Sequence, residues 1–75
     1  MSVKRETLLR LEDTLKRRYR YLLRKGEDLT ATTMVATIRI PEGLAEVDML
    51  ALAKQVMLDM YKAQERRHHA RLERA

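Results

Sequence analysis

The sequence predicts an all-α fold: two long helices in a hairpin, joined by a short helix or by a strand paired between chains, in a chain that self-associates. Three observations lead there. Leucines recur at helical spacing through the first third of the 75 residues. A second long stretch is apolar on two sides at the same period. The chain also lacks Cys, Trp and Phe, so its core must be built from Leu, Met, Val and Ala. A domain this short has a marginal core when alone, and the expected remedy is burial supplied by another chain. Residues 1–75 are read as a single small helical domain.

The first element is expected over residues 3–25. Leu8, Leu11, Leu15 and Leu22 follow one another at steps of three, four and seven residues, with Tyr19 flanking the stripe. Helix formers dominate, and Gly26 supplies a stop just after Arg24 and Lys25.

The connector, 26–43, has two readings. Met34, Ala36, Ile38 and Ile40 alternate with Val35, Thr37 and Arg39 in a strand period. Alternatively, Asp28 or Thr30 caps a short helix that turns Leu29, Met34, Ala36 and Ile40 toward the long helices. A lone strand would need a ladder partner from a second chain, which favours the short helix.

The last element is expected over 44–70, ending in a charged tail. Pro41 and Gly43 precede it, and Glu42, Glu46 and Asp48 lie near its start, where the helix dipole favours acids. Leu44, Val47, Leu50, Met57 and Tyr61 form one apolar stripe, and Met49, Ala53, Val56, Met60 and Ala63 form another. Asp48, Gln55, Asp59 and Lys62 leave a thin polar seam. Helix apolarity on two sides calls for two neighbours, so Leu50, Val56, Met57, Met60 and Tyr61 are the expected contacts between copies.

Charge is concentrated rather than spread. Residues 1–25 carry nine Lys/Arg against three acids, while the whole chain has a net charge of +5. Glu6, Glu12 and Asp13 each precede a base by four residues (Arg10, Lys16, Arg17), a spacing that neutralises part of the first half. Arg10, Arg17, Arg20 and Arg24 lie opposite the leucine stripe, and Arg18, Arg20, Arg24 and Lys25 form an unpaired cluster at the helix end. A solvated face complementing the helix dipole accounts for two of these cations more easily than for four. Arg17, Arg18, Arg20, Arg24 and Lys25 are therefore the expected phosphate contacts to double-stranded DNA. Base readout has little support, because Asn is absent and both Gln residues, Gln55 and Gln64, lie in the other helix. Tyr21 alone is expected to be exposed among the aromatics, too few for a stacking platform.

Other chemistry finds no footing in the residues. His68 and His69 are adjacent, whereas a chelating helical pair is spaced four apart on one face, so no metal site is expected. Ser2 is the sole serine, no Cys is present, and no Gly-rich loop precedes a Lys. The chain is read as a non-enzyme without cofactors. The longest apolar run, Met49 to Ala53, falls far short of the ~20 residues of a membrane span, and the N-terminus lacks the apolar core of a signal peptide. A cytoplasmic protein without membrane contact is the expectation.

Two resemblances add to this reading. Leu8-Leu9-Arg10-Leu11 through Leu22-Leu23-Arg24-Lys25-Gly26-Glu27-Asp28-Leu29-Thr30-Ala31, then Met34-Val35-Ala36, resembles the small terminase subunits of short-tailed phages over about residues 6–44. That resemblance implies a ring-forming, non-catalytic component of a DNA-packaging motor, acting in the host cytoplasm. Such a subunit binds viral DNA and hands it to a separate large subunit. Residues 37–45, Thr-Ile-Arg-Ile-Pro-Glu-Gly-Leu-Ala, are similar to the strand-into-helix start of ribbon-helix-helix repressors. That likeness implies Val35, Thr37 and Arg39 facing a major groove. A third reading is a helical adaptor that docks its two-sided helix on a larger protein.

Overall fold

The computed structural model describes residues 4–74, with side chains through Arg67. Three helices follow in order: α1 (Arg5–Lys25), α2 (Ala31–Val35) and α3 (Glu46–Arg74). Among the described residues there is no strand, so the fold is all-α with two long helices joined by a short one. Val3, expected as the first helical residue, and the side chains of His68 and His69 lie outside the described residues. At about 1.5 Å per residue, α3 is the long axis of a chain that measures 51 × 25 × 16 Å.

Each boundary has a local cause. At the end of α1, Gly26 takes φ 70°, a left-handed conformation that costs glycine no Cβ clash. Its N–H reaches the Leu23 carbonyl at 3.2 Å and the Glu27 N–H reaches that of Leu22 at 3.1 Å. This pairing is a Schellman motif, and it satisfies two carbonyls that the helix end would otherwise leave orphaned.

Helix α2 owes its start to Thr30, one of the two expected caps. The Thr30 hydroxyl accepts from the Thr33 N–H at 3.1 Å, and the Thr33 hydroxyl oxygen accepts from the Thr30 N–H at 3.0 Å. This reciprocal box settles the connector as helix over residues 31–35. A helical period, unlike a strand period, turns Met34 and Val35 inward together; they are 0% and 8% exposed. Two expectations change as a result. Val35 is in the core rather than facing outward as the ribbon-helix-helix likeness implied, and Ala36, expected to face the long helices, is exposed.

Past α2 the chain turns through Pro41–Leu44, where the Leu44 N–H donates to the Pro41 carbonyl at 3.2 Å. Gly43 occupies the third position of this turn with φ 89°, which a type II geometry requires. The turn holds Leu44 outside the helix, so α3 begins at Glu46, two residues later than expected. Glu46 and Asp48 sit in its first turn, where the dipole favours them.

The core is small and wholly apolar. Leu11, Leu15, Tyr19 and Leu22 of α1 meet Met34 and Val35 of α2, and Met49, Ala53 and Val56 of α3. Leu15, Met34, Met49 and Ala53 are 0% exposed. The Tyr19 hydroxyl keeps a polar partner by donating to Gln64 Oε1 at 3.3 Å, which ties α1 to α3. Of the two apolar stripes on α3, the one through Met49, Ala53 and Val56 therefore faces the chain's own core. No described helix is long and apolar enough to cross a membrane.

Candidate nucleic-acid interface

The basic side chains of α1 divide between two neighbourhoods. Arg17, Arg20 and Arg24 are exposed, as their positions opposite the leucine stripe require; Lys25 is exposed in the last turn, and Arg18 is half-buried. Arg17 and Arg18 line a cleft of about 460 Å³ between α1 and the segment after α2, together with Thr14, Tyr21, Thr37, Ile38 and Arg39. Arg20 lies on another side of α1, beside Leu23, Met60, Gln64 and Arg67 in the groove against α3.

Arg39 was not among the phosphate contacts expected on α1, and only the ribbon-helix-helix likeness pointed it toward DNA. It belongs to an irregular segment, where no periodicity assigns a facing direction, and only the fold brings it to Arg17 and Arg18. The cleft thus collects three guanidiniums, the groups that form charge-assisted bonds to phosphate oxygens, with the Thr37 hydroxyl beside them. Thr14 donates its own proton to the Arg10 carbonyl at 2.9 Å, leaving its oxygen as an acceptor only. Thr37 is exposed at the rim.

Tyr21 organises the cations at the helix end. The Arg18 guanidinium carbon lies 5.2 Å from the Tyr21 ring centroid and the Lys25 ammonium nitrogen 5.8 Å from it. Both distances fall within the range of cation–π attraction, worth about 0.5–1 kcal/mol at exposed sites. Tyr21 is 44% exposed, but Tyr61 on α3 is more so at 56%, so it is not the sole exposed aromatic. The ring is engaged by neighbouring cations rather than presented bare for base stacking. Arg18 Nε is buried and has no hydrogen-bond partner among the described residues.

The expected contacts between copies are distributed differently from the sequence reading. Val56 is 2% exposed in the chain's own core and is not available to a second chain. Helix α3 needs that position for packing on α1 and α2, because it shares a face with Met49 and Ala53. Leu50, Met57 and Met60 are half-buried against the same core. Tyr61 is exposed, and with it Val47 at 70% and Leu58 at 47%. Beside them, Tyr19, Leu29, Lys54, Met57, Leu58 and Tyr61 line a second, largely apolar cleft of about 440 Å³.

Among the described residues, no cluster of three His, Cys, Asp or Glu side chains is arranged to hold a metal ion. No family model, curated protein or solved structure matches this chain.

Proposed function

We propose that the chain is a non-catalytic, self-associating subunit that binds double-stranded DNA through its phosphates. The observation that carries this reading is the gathering of Arg17, Arg18 and Arg39 around one cleft, with Arg24 and Lys25 exposed further along α1. Dipole complementarity accounts for cations in the last turn of α1, but it gives no reason for Arg39 to join them from another segment. A row of phosphates does. The engagement of Tyr21 by Arg18 and Lys25, and the lack of Asn, favour backbone contact over base readout. In its most specific form, the proposal is a small terminase subunit of a phage DNA-packaging motor, supported by the leucine-rich first helix and the Gly-Glu break that follows it.

A second reading is a helical adaptor docking on a larger protein. It draws on the exposed Leu58 and Tyr61 and the apolar cleft beside them. The two separate in a duplex-binding titration of the full chain.

For the DNA-binding reading, Arg20→Gln with Arg24→Gln should weaken binding to two unrelated duplexes by the same factor, roughly tenfold or more. The same pair of changes should lower the salt slope by about two, one for each phosphate contact removed. Unchanged affinity in the double variant, or a loss confined to one sequence, would remove the phosphate model. Absence of duplex binding by the parent chain would favour the adaptor.

A further inference from the structure

On α3, Val47, Ala51, Lys54, Leu58, Tyr61 and Glu65 follow one another at alternating steps of four and three residues. All six are exposed. At about 100° per residue they form one stripe on the side of the helix turned away from Met49, Ala53 and Val56, which face the core. Alternating four-three spacing is the pattern of a seam between two helices. Four of the six members are apolar, and α1 and α2 contribute their buried residues to the other side of α3. Glu65 acts within the stripe on its own chain: its hydrogen bond and its charge raise the Tyr61 phenol above its ordinary pKa.

The two charged members of the stripe fix which helix can cover it. Leu58 and Tyr61 stand equally far to either side of the midpoint between Asp59 and Met60. Lys54 and Glu65 stand equally far outside them about the same midpoint. A two-fold axis at that level sets each Leu58 against the partner's Tyr61 and each Lys54 against the partner's Glu65. A parallel pairing in register would instead put Lys54 on Lys54 and Glu65 on Glu65, which is repulsive at two levels.

We infer that two copies of this chain pair through this outward face of α3 as antiparallel helices related by two-fold symmetry, with Lys54 of one copy opposite the partner's Glu65. The inference rests on the self-association proposed above and names its surface and orientation. The apolar cleft lined by Tyr19, Leu29, Met57 and Leu58 borders the seam and would take the Tyr61 ring of the second copy. An isologous contact of this kind is the commonest way for identical chains to close on each other.

Charge reversal in the full chain, read by sedimentation equilibrium, tests it. Lys54→Glu or Glu65→Lys alone should weaken dimerisation roughly ten- to a hundredfold, because two symmetric attractive pairs become repulsive. The double variant Lys54→Glu with Glu65→Lys should restore the parent affinity. Because the chain has no cysteine, cross-linking reads orientation without background. Under mild oxidation, Lys54→Cys mixed with Glu65→Cys should give the mixed disulfide, while neither variant links to itself. In the antiparallel pair, like positions are about 16 Å apart along the axis. Self-linking of each single-Cys variant, or dimerisation indifferent to both charge reversals, would overturn this interface while leaving self-association standing. A parent chain that stays monomeric would overturn both.

Discussion

Raising the salt concentration from about 50 to about 200 mM should weaken duplex binding by this chain roughly a thousandfold. The size follows from counting cations. Arg17, Arg18, Arg20, Arg24 and Lys25 of α1 with Arg39 make six candidate phosphate contacts, and each neutralised phosphate adds about −0.9 to the slope of log affinity against log salt. Six contacts give a slope near −5, so a fourfold rise in salt removes about three orders of magnitude. A complex with two subunits engaged on one duplex would have a steeper slope still. Fluorescence anisotropy of a labelled duplex at several salt concentrations measures the slope directly. A slope shallower than about −2 would mean that most of these cations never meet a phosphate.

Leu15→Ala should leave the chain largely unfolded at dilute concentration. Leu15 is 0% exposed at the centre of a nine-residue core, and deleting a buried leucine side chain costs about 2–5 kcal/mol. A core in a chain under 80 residues rarely supplies more than about 3–5 kcal/mol in total. The single substitution therefore competes with the whole. Leu9→Ala on the same helix is the internal control, because Leu9 is 50% exposed and a surface change shifts stability by about 0.5 kcal/mol or less. Thermal melts followed by circular dichroism should separate the two by at least about 6 °C, given about 4–8 °C per kcal/mol in a domain this size. Equal melting of the two variants would contradict the assignment of Leu15 to the core.

The contrast between Leu9 and Leu15 was legible in the sequence, because α1 has one apolar stripe and a period of 3.6 residues sorts it cleanly. Gly26 was equally plain as a stop. The connector was harder. Residues 34–40 alternate as a strand does, and the deciding signal lay upstream, in Thr30 and Thr33. A capping box is usually recognised by Glu or Gln at its fourth position, and here Thr33 plays that part. Reading the segment as helix moves Val35 into the core and frees Ala36.

On α3 the difficulty was too much apolarity. Two apolar stripes left the inner and outer faces undistinguished, so Val56 was assigned to contacts between copies when it belongs to the core. The outward stripe was masked by its own charges, since Lys54 and Glu65 interrupt the hydrophobic period that would have exposed it. Arg39 was pointed toward DNA only by the ribbon-helix-helix likeness, on a strand that the chain does not form; it sits in irregular chain, and the packing of α2 against α1 delivers it to Arg17 and Arg18.

The proposal is of a subunit rather than a self-sufficient domain, drawn from cations gathered mainly around one cleft and an exposed apolar stripe on α3. Sedimentation equilibrium of the parent chain over a concentration series tests that claim most directly. The mass should rise with concentration from that of one chain to at least that of two. A mass fixed at one chain up to about 1 mM, where even an association worth about 4 kcal/mol would register, would contradict it.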